Sequence, residues 1–512
     1  MKTKKIVALL LSLVVMLTSL SLLCVGASAV VAQTSIDIPN GDTYTLNGVD
    51  YTVIRTVEEM NAAATANAEG GKNYILAADL DYTGKEFVRI HLANGIFNGN
   101  GHSITGVNIN MTATDGGNNL SMFKFTNDAT VTVSNLTVGA PENPVTVTGS
   151  AATATNGGCR VGTLFGYLQS TATFENVTVY SNVSADGTFR VGGFIGEARA
   201  KITMKNCVFN GNVTVTNSNN NCPAGGLIGH CYNMSAANIE NCASYGTVSS
   251  TVFAGGLIGG FTNTITMTNC ANYAAVSAEK SAGLIADAGE KVSGKVTMTG
   301  CFNVGAVTGT TSAAGLIGTV SKHSNEAYND TTLTNCANIG TVTGTAANDL
   351  IATTYPDSKV TVTNCGAFGT AGAFKTYEIV KAKGGEATTT TTDKTAAEAL
   401  TFMTINCSYA IFGIEDNKIV IKTVADAPEN PTEETTEETT EPSTEKDTET
   451  TAPDTPKDTA DGETTVAEET TTADNGTADD KKGCKSTAGI GVVALLMTLG
   501  GAGVLFTKKK EN

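Results

Sequence analysis

The stretch that decides the fold is FAGGLIGGFTNTITMTNCANY, residues 253–273. It carries two phrases that the chain repeats. One is the glycine-bounded GLIG type, at 191–196, 224–229, 254–259, 282–286 and 314–318, with a weaker copy at 161–166 and a trace at 349–352. The other is an alternating run ending in Asn-Cys: ITMKNC to Cys207, ITMTNC to Cys270, VTVTNC to Cys365. A third phrase, of GTV type, stands at 246–248, 305–307 and 340–342. From Cys207 to Cys365 the cysteines recur at intervals of 35, 28, 31, 35 and 29 residues. Fixed phrases joined by segments of variable length mark a solenoid.

Each phrase alternates apolar and polar residues, which is strand periodicity. Three strands in a unit of about 30 residues predict the coil of a parallel β-helix, an all-β fold, rather than a propeller or sandwich. The rows agree. Three residues before the cysteine row stand Val133, Phe174, Met204, Ile239, Met267, Met298, Leu333 and Val362. The row itself reads Leu136, Val177, Cys207, Cys242, Cys270, Cys301, Cys336 and Cys365. Stacked coil on coil, these rows predict about eight coils with an inward apolar core. Before them, residues 57–68 have helical composition and are expected to cover the first coil, whose open edge would otherwise pair with other chains. After them, residues 373–423 are expected to close the other end, with a strand at 418–421.

Outside the repeats the chain changes character. Lys2, Lys4 and Lys5, an apolar run over 6–25 and Ala27-Ser28-Ala29 read as a signal peptide over residues 1–29, cut after Ala29 or, as the alternative, after Ala32. Leu23 before Cys24 is too bulky for lipoprotein processing. Residues 424–482 are rich in Thr, Glu, Asp and Pro and cannot bury enough surface to order, so they read as an extended spacer, open to O-glycosylation. The net charge of −17 is mostly theirs: between Thr423 and Lys482, 19 acidic residues stand against four lysines, about −15. Without a basic patch away from the chain ends, no nucleic-acid partner is expected. Residues 488–506 form an unbroken run of apolar or small residues, long enough to span a bilayer. Lys508 to Lys510 then place the 507–512 tail in the cytoplasm and the repeats outside.

The candidates for chemistry are few. Lyases and hydrolases need carboxylates or acid–base groups converging on one face. In residues 159–372 the acids do not fall in one row on successive coils. The residue after GLIG reads Tyr167, Glu197, His230, Gly260, Asp287, Thr319, Thr353. Glu197 and His230 would lie one coil apart within hydrogen-bonding reach, but on an exposed turn they read as surface decoration rather than a dyad. Arg160 and Arg190 occupy matching places. Two adjacent positive charges favour an anionic partner, against the blander reading of two solvated side chains. His102 reads as a residue of a glycine-rich turn. No catalytic residue, cofactor or metal site is assigned.

Cys207, Cys242, Cys270, Cys301, Cys336 and Cys365 are expected as buried thiols, because parallel side chains make poor disulfide geometry. Cys222 and Cys231 are the expected loop disulfide. Asn206, Asn241, Asn269, Asn335 and Asn364 precede the cysteines and are expected to bond amide to amide along the axis. The aromatic residues Tyr245, Tyr273 and Phe368 share a row with Val304 and Ile339, so packing explains them better than sugar binding.

The lead-in NYILAADLD at 73–81, FNGNGHSITG at 97–106 and the AGGLIG and NC-x-N-x-G units together resemble the GLUG-motif repeat proteins. The resemblance spans roughly residues 50–370. It implies a right-handed β-helix and an adhesin-like surface protein of the kind found in gut clostridia. On this reading residues 33–158 are an N-terminal cap with the first coils, and 159–372 are GLUG-like repeats. Such proteins often end in an LPxTG sorting signal, which this sequence lacks, so the 488–506 helix is the expected anchor. The expected function is a non-enzymatic surface protein that presents its rod to an extracellular protein or glycan of a host or another bacterium. The alternative is a carbohydrate-active enzyme, a polysaccharide lyase or glycoside hydrolase.

Overall fold

The computed structural model describes residues 35–424, apart from 67–69, 114–118, 125–128, 152–158, 188, 217–221, 233–235, 262–263, 289–294, 321–329, 369–372, 383, 408–409 and 416–417. The signal segment, the spacer and the 488–506 run lie outside these residues. Among the described residues no helix is long and apolar enough to cross a membrane.

The chain is an all-β, right-handed solenoid in which each coil pairs in parallel with the next. The predicted rows hold residue by residue. Phe174 sits between Val133 and Met204, Met267 between Ile239 and Met298, and Leu333 between Met298 and Val362. All of them are buried in one continuous core. The rise between coils is the spacing of neighbouring strands, about 4.8 Å. The GLIG phrases form a separate parallel sheet of seven strands, from Phe165–Leu168 to Ile351–Thr354. That gives about seven turns, not eight. The strand at Thr130–Val138 does join the inward rows, but among the described residues of its coil the GLIG position contributes isolated bridges at Phe123, to Phe165 and to Ile90, in place of a strand.

Two corner devices repeat. Asn135, Asn176, Asn206, Asn241, Asn269, Asn335 and Asn364 all take positive φ, between 48° and 56°. Asparagine enters that left-handed region more readily than other side chains. Its amide then donates to the asparagine of the preceding coil, as in Asn176 to Asn135 at 3.0 Å, Asn206 to Asn176 at 2.9 Å and Asn364 to Asn335 at 2.7 Å. At the other corner the second glycine of AGGLIG gives the next wall room: a Cβ on Gly256 would lie 2.1 Å from the Gly283 carbonyl oxygen and 2.2 Å from the Asn272 side chain. Asn272, Asn303 and Asn338 form a second, fully buried ladder. The Asn272 and Asn303 amides each donate along it at 2.8 Å, and each of the three donates to a local carbonyl as well. Every buried amide there is satisfied, as burial demands.

The ends differ. At the start, helix α1, Val57–Ala66, buries Val57, Met60 and Ala64 in the main core, as the 57–68 reading expected. The Thr56 hydroxyl caps it by accepting from the Glu59 amide at 3.1 Å. At the far end the last coil strand, Lys359–Phe368, is met by the antiparallel strand Phe374–Lys381, which in turn pairs with Ala387–Lys394. The expected closing strand is not part of this closure. Lys418–Val424 instead folds back on Ala410–Glu415 as a hairpin. With helix α2, Ala396–Asn406, it packs on the flank of the coils, where Ala399, Phe402, Met403, Cys407, Phe412 and Ile419 bury Ala271, Phe302 and Ala337. Apolar side chains at Phe302, Tyr273, Val304, Ile339 and Phe368 left that flank needing cover. The aromatic row is therefore packing: Tyr245 stacks on Tyr273 at 4.5 Å, Tyr273 meets Phe302 edge-on, and Phe302 meets Phe412.

Candidate functional site

The row after GLIG pairs in the predicted order from Tyr167 through Glu197, His230, Gly260, Asp287 and Thr319 to Thr353. Its environment differs from the expectation. Glu197 is completely buried and His230 nearly so. The exposed-turn reading fails because the GLIG strands lie against the strands that precede them, and those strands bring arginines with them. Arg160 and Arg190 are paired in register on adjacent coils, and both donate to Glu197 Oε2 at 2.6 Å. They are not two solvated side chains. Arg199, two residues beyond Glu197, donates to Oε1 at 2.5 Å.

Aromatic rings frame the cluster. The Arg160 guanidinium lies 4.0 Å from the Tyr167 ring centre. Arg199 lies between Tyr167 and Tyr232, at 5.3 and 4.7 Å. His230 packs beside Tyr232 at 5.4 Å. Cation–π contact of this kind compensates partly desolvated guanidinium groups.

The electrostatics follow from this geometry. Burial alone would raise the Glu197 pKa, but Arg190 and Arg160 outweigh it and hold the carboxyl below its ordinary value. Burial, reinforced by Arg190, pushes His230 down to about 3, so its imidazole is neutral near pH 7. A carboxylate fixed in its charged form cannot serve as a general acid at neutral pH, and an imidazole titrating near 3 is a weak base there. What the arrangement does is preorganise three guanidinium groups. The cluster holds three positive charges and one negative, a surplus of two.

Glu197, His230, Arg160 and Arg190 are thus brought together. Arg199, Tyr167 and Tyr232 complete the group and were not singled out from the sequence. The available signal was scarcity: the chain has five arginines, Arg55, Arg89, Arg160, Arg190 and Arg199, and three of them meet here.

The cysteine row, Cys207 through Cys365, is buried throughout. Its thiols bond to strand carbonyls, as Cys242 does to Glu240 at 3.2 Å and Cys270 to Thr268 at 3.3 Å. Burial pushes the Cys242, Cys301 and Cys365 thiols up. The expected loop disulfide is corrected: Cys222 and Cys231 are not joined, and both belong to the main core. Cys222 immediately precedes the wall strand Pro223–Gly225, and Cys231 is the last residue of the wall strand Ile228–Cys231. His102 sits in its turn after Asn100 and Gly101, both at positive φ, with Nδ1 3.4 Å from Asp79. Among the described residues no group of three or more His, Cys, Asp or Glu side chains is placed to hold a metal.

No family model and no curated protein matches the chain. Two solved structures are similar to it. One, described as a "putative immunoglobulin A1 protease" from Bacteroides ovatus, is 17% identical with a TM-score of 0.36, and the match covers 73% of this chain and 92% of that one. The other, an "IgA1 Protease", is 16% identical with a TM-score of 0.34, covering 60% of this chain and 21% of that one. At such values neither likeness carries an argument about activity.

Proposed function

We propose that this is a GLUG-type, adhesin-like surface protein whose β-helix presents a ligand-binding face outside the cell. The observation that supports a binding role is Glu197. Its carboxylate is spent on holding Arg160, Arg190 and Arg199 in place, an arrangement suited to recognition rather than proton transfer. Arrays of glycans and matrix proteins probed with residues 33–423 should show at least one ligand, of host or bacterial origin. Robust cleavage of a pectin, mucin or other glycan would overturn this reading in favour of the carbohydrate-active enzyme.

Surface display is the second part of the proposal. It is supported by the basic-apolar start, the spacer at 424–482 and the apolar run at 488–506 followed by lysines. The protein should fractionate with membranes and need detergent for release. Deleting residues 489–506 should send it into the medium, and retention of the deleted form on cells would point to another attachment.

A further inference from the structure

From the geometry of the arginine cluster we infer an oxyanion site, one that takes a single carboxylate or sulfate group between Arg160, Arg190, Arg199 and His230. The inference supplies the ligand chemistry for the binding role above and rests on that reading.

Three observations carry it. First, charge: Glu197 offsets one of three guanidinium groups. Apart from Glu197, the acid nearest in sequence to Arg160, Arg190, Arg199 and His230 is Asp186. The Asp186 carboxylate already accepts from the Thr216 hydroxyl at 2.8 Å. Second, unpartnered polar atoms: Arg190 has a buried Nε–H with no hydrogen-bond partner, and His230, 4% exposed, has a buried Nδ1 in the same condition, which in its protonated tautomer is a further donor. Such orphaned polar atoms are rare in folded proteins because each one costs its desolvation. A neutral imidazole beside forked guanidinium groups suits an oxygen-rich anion, which accepts from N–H donors and pairs with arginine in bidentate fashion. Third, access: the Arg160, Arg190 and Arg199 side chains are 10, 22 and 30% exposed. The cluster is recessed but not sealed, so an incoming group meets donors that Glu197 has already oriented. Orientation in advance lowers the entropy lost on binding.

The test uses the full-length protein with sodium sulfate, sodium acetate and sodium phosphate, each against sodium chloride at equal ionic strength. An oxyanion site predicts a rise in Tm above the chloride control, with sulfate and acetate showing which group fits better. The rise should vanish in Arg199→Gln. A second readout needs no variant: the arginine reagent phenylglyoxal, followed by peptide mass mapping, should modify Arg199 more slowly in sulfate or acetate than in chloride, with Arg55 unaffected. Equal melting in all salts together with equal labelling of Arg199 would mean that water alone satisfies His230 and Arg190, and would overturn the site. The same holds if the rise persists unchanged in Arg199→Gln. Failure here with a positive array result would refute this site and leave the binding role standing. A positive result here with glycan turnover would do the reverse.

Discussion

Two rows of one repeat behave in opposite ways. The cysteine row, like the row three residues before it, keeps an apolar side chain on every coil. The row after GLIG runs from Tyr167, Glu197 and His230 to Thr319 and Thr353. Both rows are generated by the same translation along the axis. The inward rows face a copy of themselves above and below, so a change in size on one coil is felt by two neighbours. The GLIG row borders the strands of the preceding phrase, and there one segment of the solenoid has built a charged cluster while the rest stayed plain. In this fold, repetition holds the structure and departure from repetition marks where function can be placed.

The largest expected effect tests the departure. Glu197→Ala leaves three guanidinium groups without their shared carboxylate and should cost about 3–5 kcal/mol in denaturant unfolding, the usual penalty for removing one partner of a buried pair. Thr319→Ala, in the same row two coils past Gly260, should cost less than about 0.5 kcal/mol. Similar values for the two would erase the distinction between the regions.

Next comes the uniform row. Cys270→Ser exchanges a weakly polar thiol for a hydroxyl that must give up its hydration among apolar neighbours, with a strand carbonyl as its remaining partner, and should cost about 1–3 kcal/mol. Cys270→Ala should be milder because it leaves only a small gap. The six row thiols should resist alkylation until the protein is denatured. Rapid native labelling of all six would break the row.

The asparagine corner should respond more weakly. Asn241→Ala loses the bond to Asn206 and puts alanine at φ 53°, for a combined cost of about 1–2 kcal/mol. Asn241→Gly should recover part of that, since glycine takes this φ freely. If glycine recovered none of the cost, the amide ladder rather than the backbone would dominate the corner.

The smallest effect at neutral pH concerns His230. Its pKa is about 3 folded against about 6.5 unfolded, so the unfolded chain binds the extra proton between those values. Stability should therefore fall as pH drops from about 6.5 toward 3. Glu197, lowered by its arginines, adds loss in the same direction once the pH passes below the ordinary carboxylate range. His230→Gln should flatten the upper part of this acid limb in pH-dependent melting. An unchanged limb would show that His230 titrates normally.

Most of the solenoid was legible because periodicity is a property of sequence. Once Cys207 and Cys270 were equated, every row from Val133 to Val362 followed. The charged cluster was not legible in the same way. Glu197 and Arg160 look like surface residues when read singly, and their burial depends on two phrases of adjacent coils meeting in space. The C-terminal hairpin was misplaced for a related reason. Its strand composition was read correctly at 418–421, but chain order does not say whether a last strand caps an end or lies along a side.

One break in the asparagine ladder has a bearing on how long such a rod can become. Gly300 stands where the other coils have asparagine, at φ +64°, and a Cβ there would lie 3.0 Å from the carbonyl oxygen of Asn406, at the end of α2. The glycine is a notch that seats the C-terminal strap on one coil. Lineages could lengthen the protein by duplicating units before Cys242, ahead of the residues on which the strap packs, without disturbing it. A unit inserted between Cys301 and Cys365 would add one strand spacing, about 4.8 Å, between the notch and the end strands, and the strap would have to stretch or let go. Growth by duplication is thus free ahead of the strap's footprint and locked within it.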